Sequence, residues 1–137
     1  MNLNNLLKKK TIIIAEIGNN HEGDFNTAKK LIDEAKKCGV DAVKFQTFEP
    51  DSFIYKKDKK RLKQIKKFQL SFSQFKQLSQ YAKKKKLIFI STPFDLKSAK
   101  FLNNIQDVFK ISSGDNTFYP LLKIIAGFNK TIILSTG

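Results

Sequence analysis

The sequence predicts an α/β chain forming the first five βα units of a TIM (β/α)8 barrel. Three observations carry this. Five short runs, beginning at Thr11, Ala42, Leu87, Val108 and Thr131, are apolar at the start and polar at the end, as buried parallel strands are. Segments with helical spacing of apolar residues separate them. Polar side chains close all five runs, whereas an open doubly wound sheet, the competing architecture, gathers them at one topological switch point. The first βα loop, Gly18-Asn19-Asn20-His21-Glu22-Gly23, also lacks the glycine spacing of a dinucleotide fingerprint. Five strands do not close a barrel of eight, so the chain is expected to be a truncated piece of a longer protein.

Residues 1–10 are polar and basic and are expected to form a loose arm or small lid ahead of a partial barrel domain over 11–137. Thr11–Ile17 reads as the first strand, because its three consecutive isoleucines call for burial on both faces. Asp24 is a natural N-cap for a helix over 25–37, with Ala28, Leu31, Ile32 and Ala35 on one face and Gly39 as the stop. The second strand is 42–48. Residues 56–67 carry no strong apolar stripe and read as an irregular excursion or an exposed helix. The next helix turns Phe75, Leu78 and Ala82 inward, with Ser73 as the expected cap, and runs out in lysines as its dipole prefers. Leu87–Ser91 is the third strand. Asp95 or a neighbour starts a helix carrying Ala99, Phe101 and Leu102; Val108–Ile111 is the fourth strand, 121–126 a short helix and Thr131–Leu134 the fifth strand.

At 137 residues the chain is long enough for one domain with a core, and 41% hydrophobic with 28% charged residues places it among globular proteins. No apolar run approaches the ~20 residues that cross a bilayer, and residues 1–10 lack the apolar segment of a signal peptide, so a cytoplasmic protein without membrane partners is expected. The net charge of +14, from 26 basic against 12 acidic residues, would suit a nucleic-acid binder. Yet Arg61 is the one arginine, and base and phosphate readers lean on arginine's planar fork. The lysines scatter over every predicted helix face, densest at Lys8–Lys10, Lys56–Lys60 and Lys83–Lys86. A solvated lysine-rich surface that weakly attracts anionic metabolites is the expectation. Cys38, the one cysteine, falls at a helix end and reads as filler rather than nucleophile.

Chemistry concentrates at the strand ends. In order they offer Glu16, Asn19, Asn20 and His21; Lys44, Gln46 and Thr47; Ser91, Thr92 and Asp95; Lys110, Ser112, Ser113 and Asp115; and Ser135, Thr136 and Gly137. Lys44 and Lys110 interrupt apolar strands. Burying an ammonium costs several kcal/mol unless it is paired, so each is expected to meet a carboxylate, Glu16 or Asp115, or an anionic ligand. Hydroxyls and glycine at the later strand ends suit a phosphate, although serine and threonine also cap helices there. His21 has no second histidine to complete a metal site. Glu16, a carboxylate inside an isoleucine strand, requires a reason.

The motifs A-E-I-G-N-N-H-E-G, D-A-V-K-F-Q-T-F, F-I-S-T-P-F-D, F-K-I-S-S-G-D-N and I-I-L-S-T-G, in this order and spacing, resemble the N-terminal part of the sialic acid synthase family. Its members are phosphoenolpyruvate-dependent N-acetylneuraminate synthases and their relatives for legionaminic, pseudaminic and spore-coat sugars. The resemblance runs from Thr11 to Gly137. It implies condensation of phosphoenolpyruvate with an open-chain N-acetylmannosamine-type sugar and water, giving a nonulosonic acid and phosphate. It implies a divalent metal, Mn2+ or Mg2+, whose histidine ligands lie beyond Gly137 together with a small antifreeze-like domain, and a homodimeric full-length parent. It assigns Lys44 and Lys110 to the phosphate and carboxylate of phosphoenolpyruvate, helped by Thr92, Ser113 and Ser135. Glu16 is implied at the metal-water and sugar end, with Gln46 lining the same pocket. Asp115 takes the place of a glutamate that handles the water attacking C2, one methylene shorter, which points to a different sugar acceptor. The chain by itself is expected to be catalytically incompetent. The other readings are a 3-deoxy sugar phosphate synthase-like barrel enzyme and a non-catalytic basic binding module.

Overall fold

The computed structural model describes residues 3–55 and 57–136. Gly137, expected at the fifth strand end, and Lys56, the start of a lysine cluster, lie outside the described residues, as do Met1 and Asn2 of the expected arm. The elements run α1 (Leu3–Leu7), β1 (Ile14–Gly18), α2 (Phe25–Lys37), β2 (Ala42–Thr47), α3 (Pro50–Phe53), α4 (Lys59–Phe68), α5 (Phe72–Lys84), β3 (Ile88–Pro93), α6 (Leu96–Leu102), β4 (Val108–Ile111), a 3-10 turn (Ser113–Asp115), α7 (Tyr119–Ala126) and β5 (Thr131–Leu134).

All strand pairs are parallel and the order in the sheet is β1-β2-β3-β4-β5. A doubly wound sheet reverses direction at its switch point. Here every connection steps the same way, which is five units of a (β/α)8 barrel. The pleat then divides the side chains. Outward-facing Ile17, Val43, Phe45, Phe89, Phe109 and Ile111 meet Ala28, Ile32, Leu78, Ala82, Ala99, Leu102, Leu121 and Ile125 of the helices in one core. Phe45 anchors it, stacked on Phe89 at 5.6 Å between ring centroids and edge-on to Phe75 at 6.4 Å. Inward-facing Ala42, Ile88, Ile90 and Val108 form a second cluster with Leu3, flanked by Ile12, Ile14 and Ile133.

Leu3 corrects the expectation of a loose arm: residues 3–7 form a helix whose first side chain is 3% exposed and covers the lower, apolar layer of the inner face. Lys10 then pairs with Asp41, whose other carboxylate oxygen accepts the Ile13 N–H at 3.1 Å. Strand β1 starts three residues later than expected, and Ile13 is 59% exposed despite its apolar neighbours. Its backbone is committed to Asp41 and Ala42, whose N–H groups donate to the Ile13 carbonyl at 2.9 and 3.2 Å.

Helix boundaries follow their caps. Asp24 accepts the Thr27 N–H, and α2 spans 25–37 as its spacing predicts. The cap of α5 is Ser71 rather than Ser73, closing a reciprocal capping box with Gln74. Starting there brings Phe72 into the helix, where its ring stacks on Phe101 at 4.3 Å. The lysine-rich stretch folds as the exposed helix α4, with no buried residue. Between β3 and β4 the buried Gln106 side chain serves as a ladder rung, accepting from Ser91 N at 2.7 Å and donating to Ser91 O at 3.0 Å. Among the described residues no helix is long and apolar enough to cross a membrane.

Candidate active site

Parallel strands deliver all their carboxyl ends to one rim, and the register decides which side chains share it. Glu16 pairs with Lys44, Gln46 with Thr92, and Lys110 with Ile133. Glu16, Lys44, Gln46, Thr92 and Lys110 therefore stand on the inner face, above the apolar layer, because side chains two apart along a strand share a face.

The ammonium of Lys44 meets Glu16 Oε2 at 2.6 Å and donates to Thr92 Oγ1 at 3.3 Å. Its side chain is 11% exposed, against 56% for Glu16, so the pair is dry on the lysine side and open on the carboxylate side. Lys110 differs. Its ammonium donates to Ser135 Oγ and the Ile111 carbonyl, both at 2.5 Å, and among the described residues it holds no carboxylate. Burial lowers its pKa below the ordinary lysine range, the Lys44 charge lowers it further, and Glu16 opposes both. Two ammonium groups facing one carboxylate leave this rim positive, which attracts an anion.

Gln46 is held from the β1–α2 loop, where Asn19 Nδ2 donates to Gln46 Oε1 at 2.6 Å. Sequence spacing gave Asn19 no partner; the only available signal was Gly18, which bends the chain over the end of β2. Asp115 sits on the 3-10 turn after β4, and burial raises its carboxyl above the usual range. Its Oδ2 is buried with no hydrogen-bond partner among the described residues. Ser113 is exposed at the head of that turn, and no hydrogen bond among the described residues ties its side chain to the lysines.

Other polar groups at the strand ends point elsewhere. Thr47 and Ser91 are fully buried and share a hydroxyl–hydroxyl bond of 2.7 Å. Asp95 caps α6 through Ser98 and also accepts the Glu49 N–H at 2.8 Å, tying two loops together. Ser112 caps the 3-10 turn. Cys38 is exposed at the end of α2. A concavity of about 200 Å³ between α2 and α5, lined by Phe25, Lys29, Gln77, Gln80, Tyr81 and Lys84, lies on the helical layer and shares no residue with the rim.

His21 is 1% exposed, its ring 6.0 Å from that of Phe45. Its Nδ1 accepts the Gly23 N–H at 3.1 Å, which makes it a neutral imidazole with Nε2 as the protonated end. Burial lowers its pKa, with the Asp24 charge opposing. The unfolded chain thus takes up a proton near pH 6.5 that the folded chain accepts only at lower pH. Stability is accordingly full above about pH 6.5 and falls as the pH drops from there toward the folded pKa. Urea midpoints at pH 7.5 and 5.5 are expected to show this loss, and His21→Gln to flatten it. An unchanged slope in the variant would assign the loss to another group.

Among the described residues no three His, Cys, Asp or Glu side chains gather in a metal-holding group. The family resemblance assigns the histidine ligands of its divalent metal to residues other than these, and His21, the one histidine here, is buried against Phe45 with Nδ1 accepting the Gly23 N–H.

A family model described as the NeuB family matches residues 31–137. The chain belongs to the NeuB family. This NeuB chain is 50% identical over 128 residues to an uncharacterized protein of Methanocaldococcus jannaschii, covering 93% of itself and 38% of that protein. It is 47% identical over 143 residues to N,N'-diacetyllegionaminic acid synthase of Campylobacter jejuni, covering 94% of itself and 43% of the synthase. Its fold superposes on the crystal structure of N-acetylneuraminic acid synthetase from Leptospira borgpetersenii with a TM-score of 0.89 at 33% identity, over 94% of this chain and 45% of that one. The NeuB chain thus spans roughly two fifths of the length of the curated relatives it matches, 38% and 43% for these two.

Proposed function

We propose that this chain is the phosphoenolpyruvate-binding portion of a nonulosonic acid synthase, which condenses phosphoenolpyruvate with an N-acetylated, open-chain hexose and releases phosphate. The observation that carries the reading is Lys110, a half-buried ammonium that holds no carboxylate among the described residues, facing the Lys44–Glu16 pair. A phosphate or carboxylate oxygen supplies the missing charge, and charge-assisted hydrogen bonds of this kind are about twice as strong as neutral ones. In this reading Lys110 and Lys44 bind the two anionic ends of phosphoenolpyruvate, with Ser135, Thr92 and Ser113 as hydroxyl donors. Glu16 keeps one oxygen on Lys44 and turns the rest of its exposed carboxylate toward the sugar.

In the overall reaction C3 of phosphoenolpyruvate forms a bond to the aldehyde carbon, water adds at C2, and the C2–O bond to phosphate breaks. Asp115 takes the proton from that water. A carboxylate whose pKa is raised by burial is a stronger base, and its Oδ2 has no competing partner among the described residues.

The test is a phosphate-release assay with N-acetylmannosamine, run on this chain alone and on the chain completed by the remaining three βα units and terminal domain of a NeuB relative. Phosphoenolpyruvate binding to the chain alone, followed by NMR, with phosphate release only in the completed form, is the expected result. Release with a phosphorylated aldose instead would assign a 3-deoxy sugar phosphate synthase. No phosphoenolpyruvate binding in either form would overturn the proposal.

A further inference from the structure

We infer that Asn19 is a positioning residue: it fixes the side-chain amide of Gln46 so that Gln46 presents a donor, not an acceptor, to a sugar hydroxyl beside Glu16. This rests on the reading that the rim of β1 and β2 receives the sugar. Asn19 Nδ2 donates to Gln46 Oε1 at 2.6 Å. That bond occupies the acceptor end of Gln46 and turns Nε2 the other way. A Cβ built on Gly18 would lie 3.3 Å from Glu16 Oε1 and 3.8 Å from Gln46 Nε2, so these two atoms flank the bare side of that glycine. Glu16 Oε2 is engaged by Lys44, and among the described residues no hydrogen bond takes up Oε1.

A side-chain amide can turn over, so the orientation needs a physical cause. With both amides reversed, Gln46 would aim its carbonyl at the Glu16 carboxylate, and Asn19 would be left with an unpaired buried N–H. In the observed arrangement the unpaired buried atom is Asn19 Oδ1, an acceptor. Under-satisfied carbonyl oxygens are tolerated more often than orphaned N–H groups, and a donor beside a carboxylate is attractive where a carbonyl is repulsive. Both effects select the same state. The result is a donor, Gln46 Nε2, and an acceptor, Glu16 Oε1, around one gap. A hydroxyl accepts one hydrogen bond and donates another, so it matches both.

Asn19→Asp reverses the logic, because a carboxylate at that position accepts from Gln46 Nε2 and swings Oε1 toward Glu16. NMR on the 137-residue chain is expected to show NOEs from the Gln46 side-chain amide protons to Gly18 in the native protein and to lose them in Asn19→Asp, with Asn19→Gln retaining them. In the completed enzyme of the assay above, Asn19→Asp is expected to raise KM for the sugar by about tenfold, one lost hydrogen bond, with KM for phosphoenolpyruvate unchanged. Unchanged NOEs in Asn19→Asp would overturn the inference whatever the assay gives. A tenfold rise in Gln46→Ala but none in Asn19→Asp would overturn it while leaving the sugar-site reading intact. No rise in either variant would overturn both.

Discussion

Lys110→Met is expected to abolish phosphoenolpyruvate binding by the chain without unfolding it. Removing one member of a buried, charge-assisted pair costs about 3 kcal/mol, or on the order of 100-fold in Kd. Stability should move the other way. In the free protein the Lys110 ammonium is penalised by burial and by Lys44, so an apolar side chain of similar length removes an unfavourable charge. A lost NMR titration with an unfolding midpoint that is unchanged or raised is therefore the expected pair of results. In the native chain, affinity should also decline as the pH rises through the lowered pKa of Lys110, because only the protonated form attracts the anion. Wild-type affinity in Lys110→Met would remove this lysine from the binding site. Lys44→Met is a different experiment, because it removes one charge and leaves the Glu16 carboxylate without that partner.

Gly23→Ala carries the largest expected loss of stability. The residue has φ of +83°, and a Cβ there would sit 2.0 Å from the carbonyl oxygen of Lys67 at the end of α4. The left-handed backbone alone costs a side chain about 1–2 kcal/mol, and the clash is with backbone, which cannot rotate away. A total of about 3–5 kcal/mol is expected, read as a shift in the urea midpoint. Gly39→Ala is the control. Its φ of +76° is similar, but nothing lies within 4 Å of the added carbon, so only the backbone cost of about 1–2 kcal/mol should appear. Equal shifts for the two variants would show that the contact with Lys67 does not hold the loop.

The elements that could be read from the sequence were those with punctuation at both ends. Asp24 and Gly39 bracket α2, and β4 and β5 occupy the residues that their short apolar runs predict. Alternatives were harder to separate where two serines compete for one cap. The choice of Ser71 over Ser73 depends on Gln74 and on the distant Phe101 ring. Residues 3–7 could not be recognised as a packed helix, because their destination is a face built by three later strands.

At the rim, the residue types that carry chemistry were visible in the sequence, but the direction of each side chain was not. A strand buried on both faces shows no polar–apolar alternation. Nothing local distinguishes Thr47 from Gln46, or Ser91 from Thr92, yet one of each pair points into the helical layer and the other onto the inner face. The Asn19–Gln46 bond and the Gln106 rung join residues 27 and 15 positions apart, a link made only by the folded sheet.

The sheet order has a consequence for synthesis. Because β1 to β5 lie side by side in the order of the chain, each strand after β1 leaves the ribosome with its docking edge already made. Assembly can keep pace with translation one unit at a time, without waiting for a distant segment to close a loop. A nascent chain stalled after β3 should already protect the amides of β2 from hydrogen exchange.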